Sequence, residues 1–254
     1  MTQVTMTTLE GVPLVQPGDD LAALLIAALE RAHLSLEDRD VLVVVQKVVS
    51  KAEGRIVDLD DVTPSERAVR LARETGKDPR HVETILAESD EVVRHKEGVI
   101  VVAHRLGHVM ANAGIDRSNV EPDETGERVL LLPEDPDVSA ARLKQRFDAH
   151  FGVSAAVIVA DSVGRAWRLG TVGLALGAAG LPALMDRRGE ADLFGRPLEV
   201  TMTGFADGIA AAATLVMGEG GEGRPAVLVR GLDWEAPELP AAALIRPKQE
   251  DMFR

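Results

Sequence analysis

The sequence predicts a fold of mixed α and β structure, in which buried strands end in polar loops that converge on one cleft. Three short apolar runs, at residues 40–45, 155–160 and 226–229, have the composition of buried strands. Two other segments, 21–32 and 207–217, repeat Leu and Ala at helical spacing. These patterns define the elements but leave the order of the strands open.

The remaining elements follow from capping and turn signals along the chain. In the first half we predict a helix at 21–32 capped by Asp19 or Asp20, a strand at 40–45, a helix from a Thr63 cap to about Thr75, a short helix at 80–87 and an apolar strand at 98–103 that turns back at 105–108. In the second half we predict a short strand at 129–132, a helix at 138–151, strands at 155–160, 198–203 and 226–229, and a helix at 207–217.

Composition excludes several classes of function. The 254 residues suffice for one large domain or two intimate lobes. A net charge of −13 and only seven aromatic residues, five Phe and two Trp, argue against a nucleic-acid partner. The absence of cysteine excludes disulfides, thiolate catalysis and Cys-ligated zinc. No apolar run reaches membrane-spanning length and no signal peptide precedes the first helix, so we expect a cytoplasmic protein with no membrane partner.

The most informative polar stretch is Asn112–Asn119, which follows the apolar run at 98–103. It places a carboxylate, a guanidinium, a hydroxyl and two amides within eight positions. Polar groups clustered after a strand often face a ligand. An Asx-type turn, in which Asp116 and Asn119 bond their own backbone, explains the same residues. The stretch alone leaves both interpretations open.

Polar residues also follow two of the other predicted strands. Lys47, Ser50 and Lys51 follow the strand at 40–45, where they indicate either a ligand site or a solvated helix start. Asp161 and Ser162 follow the strand at 155–160. The glycine-rich stretch 169–180 suits close backbone packing or an anion nest, and it matches neither the dinucleotide fingerprint nor the phosphate loop.

Three carboxylates, Asp116, Asp161 and Glu219, occupy the ends of predicted elements. Hard oxygen ligands of this kind suit Mg²⁺ or Mn²⁺, and two such ions can clamp a polyphosphate. Taken singly, each of these carboxylates is more often a cap or a surface charge. The cations near the same ends are Lys47, Lys51, Arg117, Arg165 and Arg168. From the residues alone we predict metal-dependent handling of a phosphorylated anion.

Several long motifs resemble the coenzyme F420-0:L-glutamate ligase family. They lie at residues 43–55, 111–120, 161–168, 177–182 and 215–218, and include Ser-Lys-Ala-Glu-Gly-Arg and Ala-Gly-Ile-Asp-Arg-Ser-Asn. The resemblance implies an F420 ligase-like α+β fold, with mixed sheets flanked by helices in two intimate lobes. It also implies one ligase domain over residues 1–254 with a lobe seam near 133–152, and no C-terminal flavin-reductase-like domain.

Membership in this family would imply a reaction and its partners. GTP, L-glutamate and F420-0 would give GDP, phosphate and F420-1, and a second round would give F420-2. The implied route passes through an acyl phosphate, because a bare carboxylate lacks a leaving group. The resemblance further implies two divalent ions, Mg²⁺ or Mn²⁺, a K⁺ ion as a further candidate cofactor, and a homodimer.

The resemblance also assigns candidate roles to individual residues. Asp116, Asp161 and Lys51 are the candidate catalytic residues, and Asp116 and Asp161 resemble ligands of one metal ion. Ser162 and Glu219, where the family commonly has Thr and often Gln, resemble ligands of a second ion. The candidate GTP contacts are Val12, Pro13, Leu14, Val15, Gln46, Lys51, Asn119, Met217, Gly218, Glu219, Gly220, Gly221, Glu222, Gly223 and Arg224. Arg117, Arg165 and Arg168 are candidate substrate contacts.

The chain departs from the family pattern after Arg168, where it reads Leu-Gly-Thr-Val-Gly to residue 173. Two alternatives to the F420-0 ligase stay open. One, which this departure permits, is a GTP-dependent ligase for a different small carboxylate. The other is a catalytically inactive protein that binds a nucleotide or F420, against which the presence of Asp116, Asp161 and Lys51 argues.

Overall fold

The computed structural model describes residues 3–117 and 127–252, which contain twelve strands and six α-helices. The strands are β1 (Thr5–Leu9), β2 (Val41–Val45), β3 (Ile56–Asp58), β4 (Ser89–Lys96), β5 (Val99–His104), β6 (Val109–Ala111), β7 (Arg128–Leu130), β8 (Ala156–Arg165), β9 (Arg168–Ala179), β10 (Leu184–Asp186), β11 (Met202–Gly204) and β12 (Ala226–Arg230). The helices are α1 (Leu21–Arg31), α2 (Gln46–Ala52), α3 (Glu66–Thr75), α4 (Pro79–Ala87), α5 (Pro136–Phe151) and α6 (Phe205–Met217). None of these helices is long and apolar enough to cross a membrane.

The main sheet has five strands in the order β1-β12-β2-β8-β9. Strands β2 and β8 run parallel, and the other neighbours are antiparallel. Alternate residues of β2 face opposite sides of the sheet, as the period of a strand requires. Leu42 and Val44 pack with α1 and α5, whereas Val41 and Val43 pack with α6. The sheet is therefore buried on both faces, which explains why β2 is apolar throughout.

A second group of elements lies between residues 56 and 130 of the chain. It contains the pair β3-β7, the sheet β4-β5-β6, and helices α3 and α4. These elements bury their own core, which includes Leu59, Ile85, Ile100 and Val129. The mixed α and β content confirms the predicted fold class. The division into two lobes with a seam near 133–152 stays a prediction.

Most predicted helices form where expected, and their caps explain their bounds. The carboxylate of Asp20 accepts the backbone N–H of Ala23 at 3.0 Å and begins α1. For α3 the predicted cap was wrong, because the hydroxyl of Ser65 rather than Thr63 accepts the N–H of Ala68. Strand β1 was not predicted. It is an edge strand whose Thr-rich residues are mostly exposed, so it has no apolar run.

The predicted end of the strand at Ala160 was also wrong. Strand β8 continues to Arg165, and the glycine-rich stretch returns beside it as β9 in one long hairpin. A side chain at Gly173 would lie 2.5 Å from the carbonyl oxygen of Ala210, and one at Gly177 would overlap the carbonyl of Pro136. The glycines therefore serve close packing against α6 and α5, and the alternative of an anion nest is wrong. The strand predicted at 198–203 is shorter and forms β11.

Two histidines with lowered pKa values, the buried His81 and the half-buried His108, predict a loss of stability in acid. Burial lowers the pKa of His81 to about 4, and the positive charges of Lys77 and Arg117 lower it further. Burial and the neighbouring His104 likewise lower the pKa of His108 to about 4. The unfolded chain therefore binds more protons than the folded one between pH 6.5 and 4, so stability is complete above this window and falls within it. We expect each histidine to lower the free energy of unfolding by about 2 kcal/mol between pH 7 and pH 5.

Urea unfolding at the two pH values measures this effect. His81→Gln is expected to remove about half of the difference, whereas His150→Gln, at an exposed position paired with Glu30, is the control. An unchanged pH dependence in the His81 variant would refute the assignment.

Candidate active site

The candidate site lies at the edge where the parallel strands β2 and β8 reach their carboxyl ends. Val45 pairs with Ala160 in the last register position that the two strands share. Gln46 and Lys47 follow at once as the first turn of α2, and Asp161 and Ser162 follow in β8. Side chains that succeed neighbouring parallel strands meet at one edge of a sheet, which is where α/β proteins bind ligands.

The antiparallel neighbours bring two more segments to the same edge. Strand β12 begins at Ala226, opposite Val44 near the end of β2. Strand β1 ends at Leu9, opposite the same Ala226. The loop 218–225 that precedes β12 and the segment 10–17 that follows β1 are therefore placed beside Asp161 by strand register alone.

These segments enclose a cavity of about 790 Å³. The predicted residues that line it are Val12, Pro13, Leu14, Val15, Lys51, Asp161, Ser162, Met217, Gly218, Glu219, Gly220, Gly221, Glu222, Gly223 and Arg224. Lys47, Val48, Thr214 and Arg128 also line it. Nearly all the residues predicted to contact GTP thus line one cavity, although they come from three separate parts of the chain. Asn119 lies outside the described residues.

Asp116 approaches this edge from the second group of elements. Its backbone N–H donates to the carbonyl of Leu130 and its carbonyl accepts from the N–H of Leu130, both at 2.9 Å. Its Oδ2 accepts a hydrogen bond from Nε2 of the fully buried Gln46 at 3.1 Å and lies 3.4 Å from Nζ of Lys47. Ser50 donates to the other end of the Gln46 amide at 2.8 Å and so orients it. These contacts favour the site interpretation of the 112–119 stretch.

Asp161 at the cavity has a strongly raised pKa. It projects from the middle of β8 and is 8% exposed. Burial raises its pKa to about 7, and the negative charges of Asp116 and Glu219 raise it too, against the opposing backbone N–H of Ser162 and the charge of Lys47. Three mutually repelling carboxylates with one nearby lysine form a site that a cation would stabilise.

Glu219 is held by two hydroxyl groups of the β8–β9 hairpin. Ser162 Oγ donates to Oε2 of Glu219 at 2.7 Å, and Thr171 Oγ1 donates to Oε1 at 3.3 Å. Thr171 was missed, because the glycine-rich stretch was not recognised as a strand. Once paired, Ser162 lies opposite Gly173 and Thr171 opposite Gly164, so both hydroxyls lie on the same face of the hairpin. The residues at which the chain departs from the family pattern therefore contact one another.

The chemistry of these side chains fits a divalent ion. Carboxylate and hydroxyl oxygens are the donors that Mg²⁺ and Mn²⁺ prefer. Within residues 3–117 and 127–252, no three His, Asp or Glu side chains are grouped closely enough to hold an ion by themselves. An ion at Asp116 and Asp161 would thus take its remaining ligands from water or from substrate oxygens, as Mg²⁺ commonly does.

The three predicted substrate arginines lie away from the cavity lining. Arg117 forms an ion pair with Glu127, with 2.7 Å between Nη2 and Oε2. At the tip of the hairpin, Arg165 donates a hydrogen bond to the carbonyl of Leu169 at 3.1 Å. Arg168 lies opposite Arg165 in the strand register. Their role in substrate binding stays a prediction.

A cavity lined by lysines and a glycine-rich loop, with two carboxylates at its edge, has side chains whose chemistry would suit a phosphorylated ligand and a divalent cation. Residues 11–231 match the family model described as F420-0:Gamma-glutamyl ligase, and the chain belongs to this family. This membership confirms the resemblance that the sequence motifs indicated.

Relatives of known name agree in length as well as in sequence. A coenzyme F420:L-glutamate ligase of Methanothermobacter thermautotrophicus is 45% identical over 99% of both chains. The protein of the same name from Methanopyrus kandleri is 47% identical over 97% of both chains. That of Archaeoglobus fulgidus is 45% identical over 99% of this chain and 97% of its own.

Proposed function

We propose that this protein is a GTP-dependent ligase that joins L-glutamate to coenzyme F420-0 by an amide bond, giving F420-1 and, in a second round, F420-2. The observation that carries the proposal is the meeting of Asp116 and Asp161 at the edge of a cavity lined by Lys51 and the loop 218–224. The names of the relatives support L-glutamate and an F420 coenzyme as the substrates.

The cavity suits a nucleotide in both size and chemistry. Its volume of about 790 Å³ lies in the range of small-molecule sites. Glycines 218, 220, 221 and 223 give the loop backbone freedom to bring its N–H groups to phosphate oxygens. One of these groups, the N–H of Gly220, donates to the carboxylate of Glu222 at 2.8 Å, so the loop already holds an anionic group.

The charge balance of the site calls for cations. Glu219 and Glu222 on the loop, together with Asp116 and Asp161, would repel a triphosphate. We assign one divalent ion to Asp116 and Asp161 and a second to Ser162 and Glu219, with K⁺ as a further candidate cofactor. When bound, Mg²⁺ or Mn²⁺ would neutralise phosphate charge during transfer. Lys47 and Lys51 contribute fixed positive charge on the α2 side of the cavity.

The proposed reaction has two steps, a phosphoryl transfer and an attack by the amine. A carboxylate oxygen of F420-0 attacks the γ-phosphorus of GTP, the bond to the β-phosphate oxygen breaks, and GDP leaves with that electron pair. The amine of glutamate then attacks the carbonyl carbon of the acyl phosphate, phosphate leaves, and the nitrogen loses a proton. The protein's part is to hold the reacting groups together and to exclude water from the acyl phosphate.

Incubation with GTP, Mn²⁺, L-glutamate and F420-0 tests this function. We expect GDP and F420-1 in equal amounts, followed by F420-2, measured by mass spectrometry. Reactions without Mn²⁺, or with ATP in place of GTP, are the controls and should give little product. If neither GDP nor a glutamylated product appears, the proposal is wrong.

A ligase for another small carboxylate is the second candidate. The observation that favours it is the contact of Thr171, in the divergent stretch 169–173, with Glu219 at the proposed second ion. Release of GDP with a different carboxylate, and not with F420-0, would establish this alternative. GTP binding without turnover of any carboxylate would instead indicate an inactive binding protein.

The proposal includes a homodimer. Trp167 and Leu169 at the tip of the β8–β9 hairpin are 81% and 99% exposed. Large apolar side chains this exposed favour a partner surface, which a second copy of the chain would supply.

A further inference from the structure

One largely buried carboxylate outside the cavity, that of Glu88, contacts two arginine side chains and one histidine side chain. Oε2 of Glu88 accepts hydrogen bonds from Nη2 of Arg55 at 2.9 Å and from Nε of Arg105 at 3.1 Å, and lies 3.5 Å from Nε2 of His104. The Glu88 side chain is only 12% exposed. A carboxylate this buried forms strong, well-oriented hydrogen bonds with arginine. The arrangement fixes the direction of the Arg55 guanidinium.

Arg55 links the end of α2 to the chain beside β7. Its backbone N–H donates to the carbonyl of Ser50 in α2 at 2.9 Å, and its carbonyl accepts the N–H of Leu131 at 2.9 Å. Its Nε donates to the carbonyl of Leu132, also at 2.9 Å. Backbone and side chain together therefore hold residues 131 and 132 against the C-terminal end of α2.

Those two residues directly follow the partner of Asp116. The backbone N–H and carbonyl of Leu130 both bond to the backbone of Asp116. A shift of residues 131 and 132 would therefore displace Leu130, and Asp116 would move with Leu130. The carboxylate of Asp116 meets Gln46 and Lys47 at the opposite end of the same helix. Helix α2 spans seven residues, or about 10 Å. Its two ends are thus tied to one short piece of chain.

We propose that Arg55, oriented by Glu88, is a positioning residue that sets the distance of Asp116 from Gln46 and Lys47 on α2. The inference rests on the proposed function, in which Asp116 binds a divalent ion. Arginine suits this role because its planar fork can donate to Glu88 and to the Leu132 carbonyl at once. Lysine carries the same charge but presents it as a single point, so it would lose one of the two contacts.

The test compares Arg55→Lys with Arg105→Lys as a matched control. Both arginines donate to the same oxygen of Glu88, but the second contact of Arg105 is the carbonyl of Glu134 rather than a residue beside Leu130. Mn²⁺ binding is followed by electron paramagnetic resonance in the presence of a non-hydrolysable GTP analogue. The kcat, the KM for GTP and the Tm of each variant are measured alongside.

We expect Arg55→Lys to weaken Mn²⁺ binding about 10-fold or more, as loss of outer-shell partners of a metal site commonly does. Its kcat should fall while its KM for GTP stays within about two-fold, because the cavity lining is intact. Arg105→Lys should lose a similar amount of Tm and keep Mn²⁺ binding and kcat near those of the wild type. Equal losses of Mn²⁺ affinity in the two variants would overturn the inference.

Glu88→Gln provides a second route should Arg55→Lys fail to fold. The amide keeps the shape of the side chain and still accepts a hydrogen bond, but it holds the guanidinium less firmly. Weaker Mn²⁺ binding in this variant supports the inference, and unchanged binding overturns it. A wild-type protein that makes no product overturns the proposed function itself, whereas an active wild type with equal variants overturns only the role of Arg55.

Discussion

Replacing Asp116 by Asn is expected to abolish turnover, lowering kcat at least on the order of 10³-fold, while the fold stays intact. The amide keeps the size of the side chain but removes the charge that would bind a divalent ion. Stability should remain within about 1 kcal/mol, because the lost attraction to Lys47 is offset by the lost repulsion of the buried Asp161. Product formation by mass spectrometry and urea unfolding measure the two effects.

A matched control for this variant is Asp60→Asn. Asp60 forms an ion pair with Arg80 at the surface of the second group of elements and does not line the cavity. Its turnover should equal that of the wild type. Near-normal turnover of the Asp116 variant would refute its role as a metal ligand.

Replacing Gly177 by Ala is expected to destabilise the protein by at least about 3 kcal/mol or to prevent folding. The added methyl group would overlap the carbonyl of Pro136 and approach the N–H of Asp137 at 2.8 Å. Both are backbone atoms in the first turn of α5, so no side-chain rotation relieves the overlap. Gly177 lies within β9 and its φ is not in the left-handed region, which makes the effect steric. Urea unfolding at pH 7 measures the loss.

Gly164 in the same hairpin provides the control. It also lies in a strand, and a methyl group added there would meet nothing within 4 Å. Gly164→Ala should therefore unfold at nearly the wild-type urea concentration. If both alanine variants are equally stable, α5 can move away from β9 and the close packing is not required.

Much of the fold could be predicted because local rules decide it. The apolar runs of β2, β8 and β12 bury both faces of the main sheet, and helix α1 begins at a capping Asp20, as each pattern indicated. The errors have local causes as well. Strand β1 lies at an exposed edge and lacks an apolar run. Strand β9 was not predicted because glycine is not typical of strands, and the glycines are required here by close packing against α5 and α6.

The candidate site, too, could be predicted only in part. Its lysines, its carboxylates and its glycine-rich loop were recognisable from residue type and from their places after strands. The route by which Asp116 reaches the site was not, because it depends on the pairing with Leu130 and on the contact of Arg55 with residues 131 and 132. Such contacts join residues far apart in the chain and leave no periodic signal.

Residue order alone was enough to establish the mixed α and β class, the family and most of the residues that line the cavity. Tertiary structure decided which strands are neighbours, and the order β1-β12-β2-β8-β9 brought segments 10–17, 46–51, 161–162 and 217–224 to one edge. The physical reason is that a buried strand can hydrogen-bond to any other strand of similar apolar pattern. Helix packing on the two faces and the close approach at Gly173 and Gly177 select one arrangement among these.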